Sequence, residues 1–148
     1  MRPMLASRSE RVPTGNEWRH EVKWDGMRVL VEVVERRVRI TSRNENDVSA
    51  TFPEFASLEV PNLLLDGEMV AFTDGRPDVG ALAARLQRFG RAAKVASDVT
   101  PVTLLGFDLL RLEGRELCGE PLAARRAVLE SLQLGDPVVQ VPPTYDDG

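Results

Sequence analysis

Apolar and charged residues alternate along 37–42, "RVRITS", where Arg37, Arg39 and Thr41 flank Val38 and Ile40. A period of two puts one set of side chains on each face of a strand, so this segment reads as a half-buried β-strand. The Val-rich run before it, 27–35 "MRVLVEVVE", is its expected partner, with a hairpin turning near Glu35–Arg36. Two longer apolar runs also read as strands: 62–72 "NLLLDGEMVAF", followed by the turn "TDGRPD", and 101–112 "PVTLLGFDLLRL", turning at Glu113–Gly114. A short strand is expected at 18–24, "WRHEVKW", ending at Asp25–Gly26, and a last one at 138–141, "VVQV".

Helical spacing occurs elsewhere. Val79, Leu82, Leu86 and Phe89 recur at steps of 3, 4 and 3, which predicts an amphipathic helix over 78–89. A helix over 120–134 starts at Pro121, and a short one over 51–58 has Pro53 in its first turn. Residues 42–49 read as a loop, and 1–17, with Pro3 and Pro13, as an extended lead-in. About six strands and three helices, mostly linked by hairpins, predict an α+β fold with antiparallel sheets.

Three segments break the strand pattern by placing polar groups where apolar ones would pack better. The first runs Glu21, Lys23, Asp25, Gly26, Arg28. In the second, Asp66 and Glu68 share a strand face with Leu64, Val70 and Phe72. Carboxylates on an apolar face are costly without partners, and Arg43, just past the hairpin, is one candidate partner. The third is Gly106-Phe107-Asp108. A lysine between two carboxylates is ordinarily a surface ion pair. Lys23 stands out because the 19 basic residues include only one other lysine, Lys94. Arginine serves solubility equally well but stays protonated, whereas a lysine amine can act as a nucleophile. Trp18 and Trp24 read as packing residues, His20 as structural or exposed, and "ARR" at 124–126 as a solvated helix face.

Composition narrows the class. With 43% hydrophobic and 28% charged residues, the 148-residue chain suits one soluble domain. No apolar run is long enough to span a bilayer, and "MRPMLASRSERVPTG" lacks the apolar stretch of a signal peptide. Cys118 is the single cysteine, so no internal disulfide forms, and a cytoplasmic location with no membrane partner is expected. A net charge of −4 does not advertise nucleic acid binding, although a local basic patch remains compatible with it.

"KWDGMR" resembles the K-x-D-G-x-R motif of the covalent nucleotidyltransferases: ATP-dependent DNA ligases, RNA ligases and mRNA capping enzymes. "TSRNEND", "FPEF", "LLDGEMVAF" and "GFDLLRLEGREL" resemble further segments of that family in the same order. The wording is most similar to bacterial ATP-dependent DNA ligases of the end-joining type, over roughly residues 3–145. The resemblance implies an antiparallel nucleotidyltransferase fold and a Lys23 that attacks ATP to form lysyl-AMP. It implies nucleotide contacts from Glu21, Arg28, Arg43, Glu68 and Phe107, with Asp25 on the side of a Mg2+ or Mn2+ ion. Nicked or broken double-stranded DNA would be the substrate of the later steps.

The resemblance also exposes a departure. The family's acidic E-G-x-V motif and its strand with two phosphate-gripping lysines have no counterpart here, nor does its OB-fold domain. Residues 18–148 are therefore expected to be a partial adenylation domain, incomplete at its C-terminus, with a separate chain as a possible source of the missing parts. Each absent charge at the transferred phosphate costs roughly 3 kcal/mol or more. Weak ATP binding and no nick sealing by the chain alone are expected. A non-catalytic nucleotide-binding or partner-binding module, and an RNA ligase or capping-type transferase, remain open readings.

Overall fold

The structure, a computed structural model, describes residues 2–4, 6–134 and 137–146. The alternating segments pair as their patterns require. Strand β1 (Met27–Val34) runs antiparallel to β2 (Arg37–Ser42), with Val31 opposite Ile40 and Val33 opposite Val38. Their turn is left-handed at both Glu35 (φ 49°) and Arg36 (φ 64°), the geometry that suits a two-residue hairpin. The Asn62 side chain stabilises it by accepting the Glu35 N–H at 2.7 Å.

Strand β3 (Leu63–Thr73) lies on the other side of β1, and β5 (Val102–Leu112) lies beside β3. The two-residue strands β4 (Arg76–Pro77), β6 (Arg115–Glu116) and β7 (Val139–Gln140) pair with β3, β5 and β5. The main order is β2-β1-β3-β5-β6. Every pairing is antiparallel except β5–β7. The architecture is the expected α+β fold. No helix of the described residues is long and apolar enough to cross a membrane.

The sheet has two unlike faces. Val29, Val31, Val33, Leu65, Met69, Leu104 and Leu109 are buried in the main core on one face. Leu82 of helix α1 (Val79–Leu86) and Leu129 of helix α3 (Leu122–Ser131) join that core. The other face carries the small apolar cluster Leu30, Leu64 and Leu110, with Val70 and Leu105, amid charged residues.

Two irregularities in β5 shape that second face. Asp66 pairs with Asp108 but Gly67 pairs with Gly106, so Phe107 is an extra residue. Leu64 pairs with Arg111 but Leu65 with Leu109, so Leu110 is another. A bulge lets two successive side chains leave on the same side of a sheet. Gly67 permits the close approach: a Cβ there would lie 2.7 Å from the Leu105 carbonyl oxygen.

Several expectations are corrected. Residues 18–24 form no strand; a single bridge joins His20 to Tyr145 through backbone bonds of 2.8 and 2.9 Å. Their alternation has no buried face, for Val22 is 48% exposed. Trp18 is exposed as well, while Trp24 packs edge-on against Phe72. The short helix at 51–58 is replaced by two 3-10 turns, Ser49–Thr51 and Pro53–Phe55. Phe52 between them leaves the helical region (φ −121°, ψ 66°), which a following proline disfavours.

Helix α1 stops at Leu86, and an unexpected helix α2 (Arg91–Val99) follows Gly90. Its small residues Ala93 and Ser97 face inward while Val99 is 77% exposed, so the usual apolar periodicity is inverted.

Arg85 joins these parts. Its side chain is 1% exposed and forks onto Glu54, with both bonds at 2.9 Å. It also donates to the carbonyls of Thr51 at 3.1 Å and Thr100 at 2.6 Å. The 3-10 turns, α1 and the end of α2 thus share one guanidinium. Arg85→Met is expected to cost about 3–5 kcal/mol in urea unfolding, because it strands a shielded carboxylate. Adding Glu54→Gln is expected to recover part of that loss. A cost below about 1 kcal/mol would show that the pair is dispensable.

Candidate active site

Arg28 is the centre of the polar face. On β1 it lies opposite Glu68, and its neighbour along that face, Leu30, lies opposite Asp66. Its Nε and Nη2 donate to the two Asp66 oxygens at 2.6 and 2.9 Å. Its guanidinium carbon sits 4.3 Å from the centroid of the Phe107 ring, a cation–π contact made possible by the bulge. Burial works against the charge of Arg28, but Asp66, Glu68 and Asp108 outweigh it and hold the group more firmly protonated.

A second fork lies beside the first. Arg125 of α3 donates to Asp108 at 2.8 and 2.6 Å, and Asp108 raises its pKa. Next along the helix, Arg126 donates to Glu21 Oε1 at 3.1 Å and to the Phe107 carbonyl at 3.2 Å.

The carboxylates respond to this setting. Asp66 is raised by burial, with Arg28 opposing and Asp108 adding to the rise. Glu68 is raised by burial against the pull of Arg28 and Lys23; the Gly26 backbone also lowers it. Glu21 is raised by burial, with Arg126 opposing.

Lys23 stands apart in solvent, its side chain 89% exposed and its Nζ 3.1 Å from Asp25 Oδ1. Gly26 brings this irregular segment onto the sheet, since a Cβ there would lie 2.2 Å from the Met69 carbonyl oxygen.

Of the residues expected from sequence, Glu21, Lys23, Arg28, Glu68 and Phe107 thus surround one end of the polar face. Asp25 is exposed and pairs with Lys23. Arg43 does not join them: it is exposed in the turn after β2 and makes no ion pair among the described residues. The cation for Asp66 is Arg28, not Arg43. No group of three or more His, Cys, Asp or Glu among the described residues is arranged to hold a metal ion.

The "ARR" segment is not a solvated face, because Arg125 and Arg126 pair with Asp108 and Glu21. The missed signal is their place on the inward stripe of α3 with Val128 and Leu129, where an exposed arginine would not fall.

Comparison with known proteins gives this geometry a context. The family described as "ATP dependent DNA ligase domain" matches residues 3–142. DNA ligase C of Mycobacterium tuberculosis is 34% identical over 131 residues, covering 86% of this chain and 36% of that protein. The SPbeta prophage-derived DNA ligase-like protein LigB of Bacillus subtilis is 32% identical over 123 residues, covering 82% of this chain and 43% of that protein. The solved structure of a mycobacterial DNA ligase D complexed with ATP and MES superposes with a TM-score of 0.71 at 36% identity, covering 86% of this chain and 40% of that one. The chain therefore spans less than half the length of these relatives.

The raised carboxyls make stability depend on pH with a definite sign. A carboxyl raised on folding binds its proton more tightly in the folded chain. As pH rises from the ordinary carboxylate range through the raised value, the unfolded chain loses that proton first and stability falls. Glu68→Gln removes one such group. Its stability is expected to decline less steeply than that of the parent, read as denaturant midpoints between about pH 4 and 7. Parallel profiles would mean that burial of Glu68 does not govern its ionisation.

Proposed function

Because the chain belongs to the family of ATP-dependent DNA ligase domains, we propose that its polar face carries the lysine-adenylation step of DNA ligation. The observation behind this reading is the convergence of an accessible amine, Lys23, with an aromatic ring and ordered carboxylates at one end of a sheet. In the proposed step the Lys23 Nζ lone pair forms a P–N bond at the α-phosphorus of ATP. The bond from that phosphorus to the α–β bridging oxygen breaks, pyrophosphate leaves with the electron pair, and the amine gives up a proton. Splitting a transfer through a covalent intermediate lowers the barrier of each part.

The other roles follow from chemical type. Phe107 stacks on the base, Glu68 accepts from a ribose hydroxyl, and Glu21 lies at the base edge. Arg28 and Arg43 are the cations for ribose or phosphate, Arg28 after exchanging part of its fork with Asp66. Lys23 attacks only as a free amine.

The residues present suit an ion held by one or two carboxylates, with water and phosphate completing its shell. Asp25 would hold Mg2+ or Mn2+, which when bound neutralises phosphate charge.

The AMP acceptor is the 5′-phosphate of nicked or broken double-stranded DNA, in repair by end joining, and the setting is the cytoplasm. A segment bearing the acidic motif and paired lysines, in cis or on a separate chain, completes the phosphate side. The exposed position of Arg43 favours one second reading, a module that binds nucleotide without transfer.

Intact-mass spectrometry after incubation with ATP and Mg2+, beside Lys23→Ala, separates these readings. A gain of one AMP that is lost in Lys23→Ala is expected. ATP binding without any mass gain, even with the completing segment added in trans, would leave only the binding module.

A further inference from the structure

We infer that Arg126 is a positioning residue that sets the purine specificity of this site, by fixing the edge-reading carboxylate of Glu21 relative to the Phe107 ring. The inference rests on the nucleotide reading above. Arg126 is 8% exposed, and its guanidinium donates to four acceptors. Two belong to the residues a base would meet: Glu21 Oε1 at 3.1 Å and the Phe107 carbonyl at 3.2 Å. The other two anchor it: Glu130 Oε1 at 2.8 Å, one turn along α3, and the carbonyl of Pro142.

The Pro142 bond closes a circuit. Three residues on, Tyr145 exchanges both backbone bonds with His20, the neighbour of Glu21. Glu21 is therefore held from its side chain by Arg126 and from its backbone by a segment that Arg126 also grips. Glu21 lies outside every strand, so no ladder places it; the circuit does.

The consequence is chemical. Oε1 is taken by Arg126, whereas Oε2 accepts no hydrogen bond among the described residues. An ionised carboxylate only accepts. It suits the amino group at C6 of adenine and opposes the oxygen at C6 of a 6-oxopurine. A protonated carboxyl would lose that preference. Burial pushes Glu21 towards protonation, and the charge of Arg126 opposes it.

The test is equilibrium binding of ATP and inosine triphosphate to the 148-residue chain. The parent is expected to favour ATP by about tenfold or more. Arg126→Gln is expected to abolish most of that preference, but to change it no further in a Glu21→Gln background. Arg126→Lys keeps the charge and loses the fork; it is expected to lower the preference too, and serves if the glutamine variant does not fold.

Equal weakening of both nucleotides with an unchanged ratio would overturn the inference and leave Arg126 merely structural. A parent that binds ATP and inosine triphosphate alike would overturn it while leaving the nucleotide site intact. A parent that binds neither would remove both.

Discussion

Asp66 and Asp108 stand opposite each other on neighbouring strands, and two like charges so placed repel. Neither is open to water that would screen the repulsion fully. Each is held instead by its own guanidinium, Arg28 for Asp66 and Arg125 for Asp108. Removing one partner of such a pair leaves a shielded charge, at a cost of about 3–5 kcal/mol. The rest of the polar face depends on this arrangement. Arg28, fixed by Asp66, supplies the cation beneath the Phe107 ring. Arg125, fixed by Asp108, sets the rotation of α3 and so delivers Arg126 to Glu21.

The two faces of the sheet divide the work. One is filled with valine, leucine and methionine and supplies cohesion. The other spends its apolar area sparingly and carries ordered charge. The bulge at Phe107 connects the two demands. It lets a ring and a carboxylate from adjacent positions reach the same side while Leu109 returns to the core. Gly67, beneath the bulge, is where the backbone of β3 comes close enough to allow it.

Lys23 is held differently from the other residues of the candidate site. Glu68, Phe107 and Arg28 belong to strands, which hold positions well. Lys23 lies on irregular chain, pinned at Gly26 but otherwise in water. A rigid cradle with an accessible amine at its rim suits a reaction in which the nucleotide is gripped first and attacked second.

Local pattern was enough for much of this. The Val38/Ile40 alternation and the long apolar runs identified four strands, and the misplaced polar residues Lys23, Arg28, Asp66, Glu68 and Asp108 drew attention to the polar face. Local pattern failed where partners decide. Val22 and Trp24 alternate like a strand, but no sheet edge takes them up. Helix α2 buries alanine and serine, so its apolar periodicity points outward. The roles of Arg125 and Arg126 were hidden for the same reason. Arg125 and Asp108 are 17 residues apart, Arg28 and Asp66 are 38 apart, and Arg126 and Glu21 are 105 apart. A sequence window reports what one residue does for its neighbours along the chain. Which guanidinium neutralises which carboxylate is decided by the folded sheet, because only there does the cost of burying a charge arise.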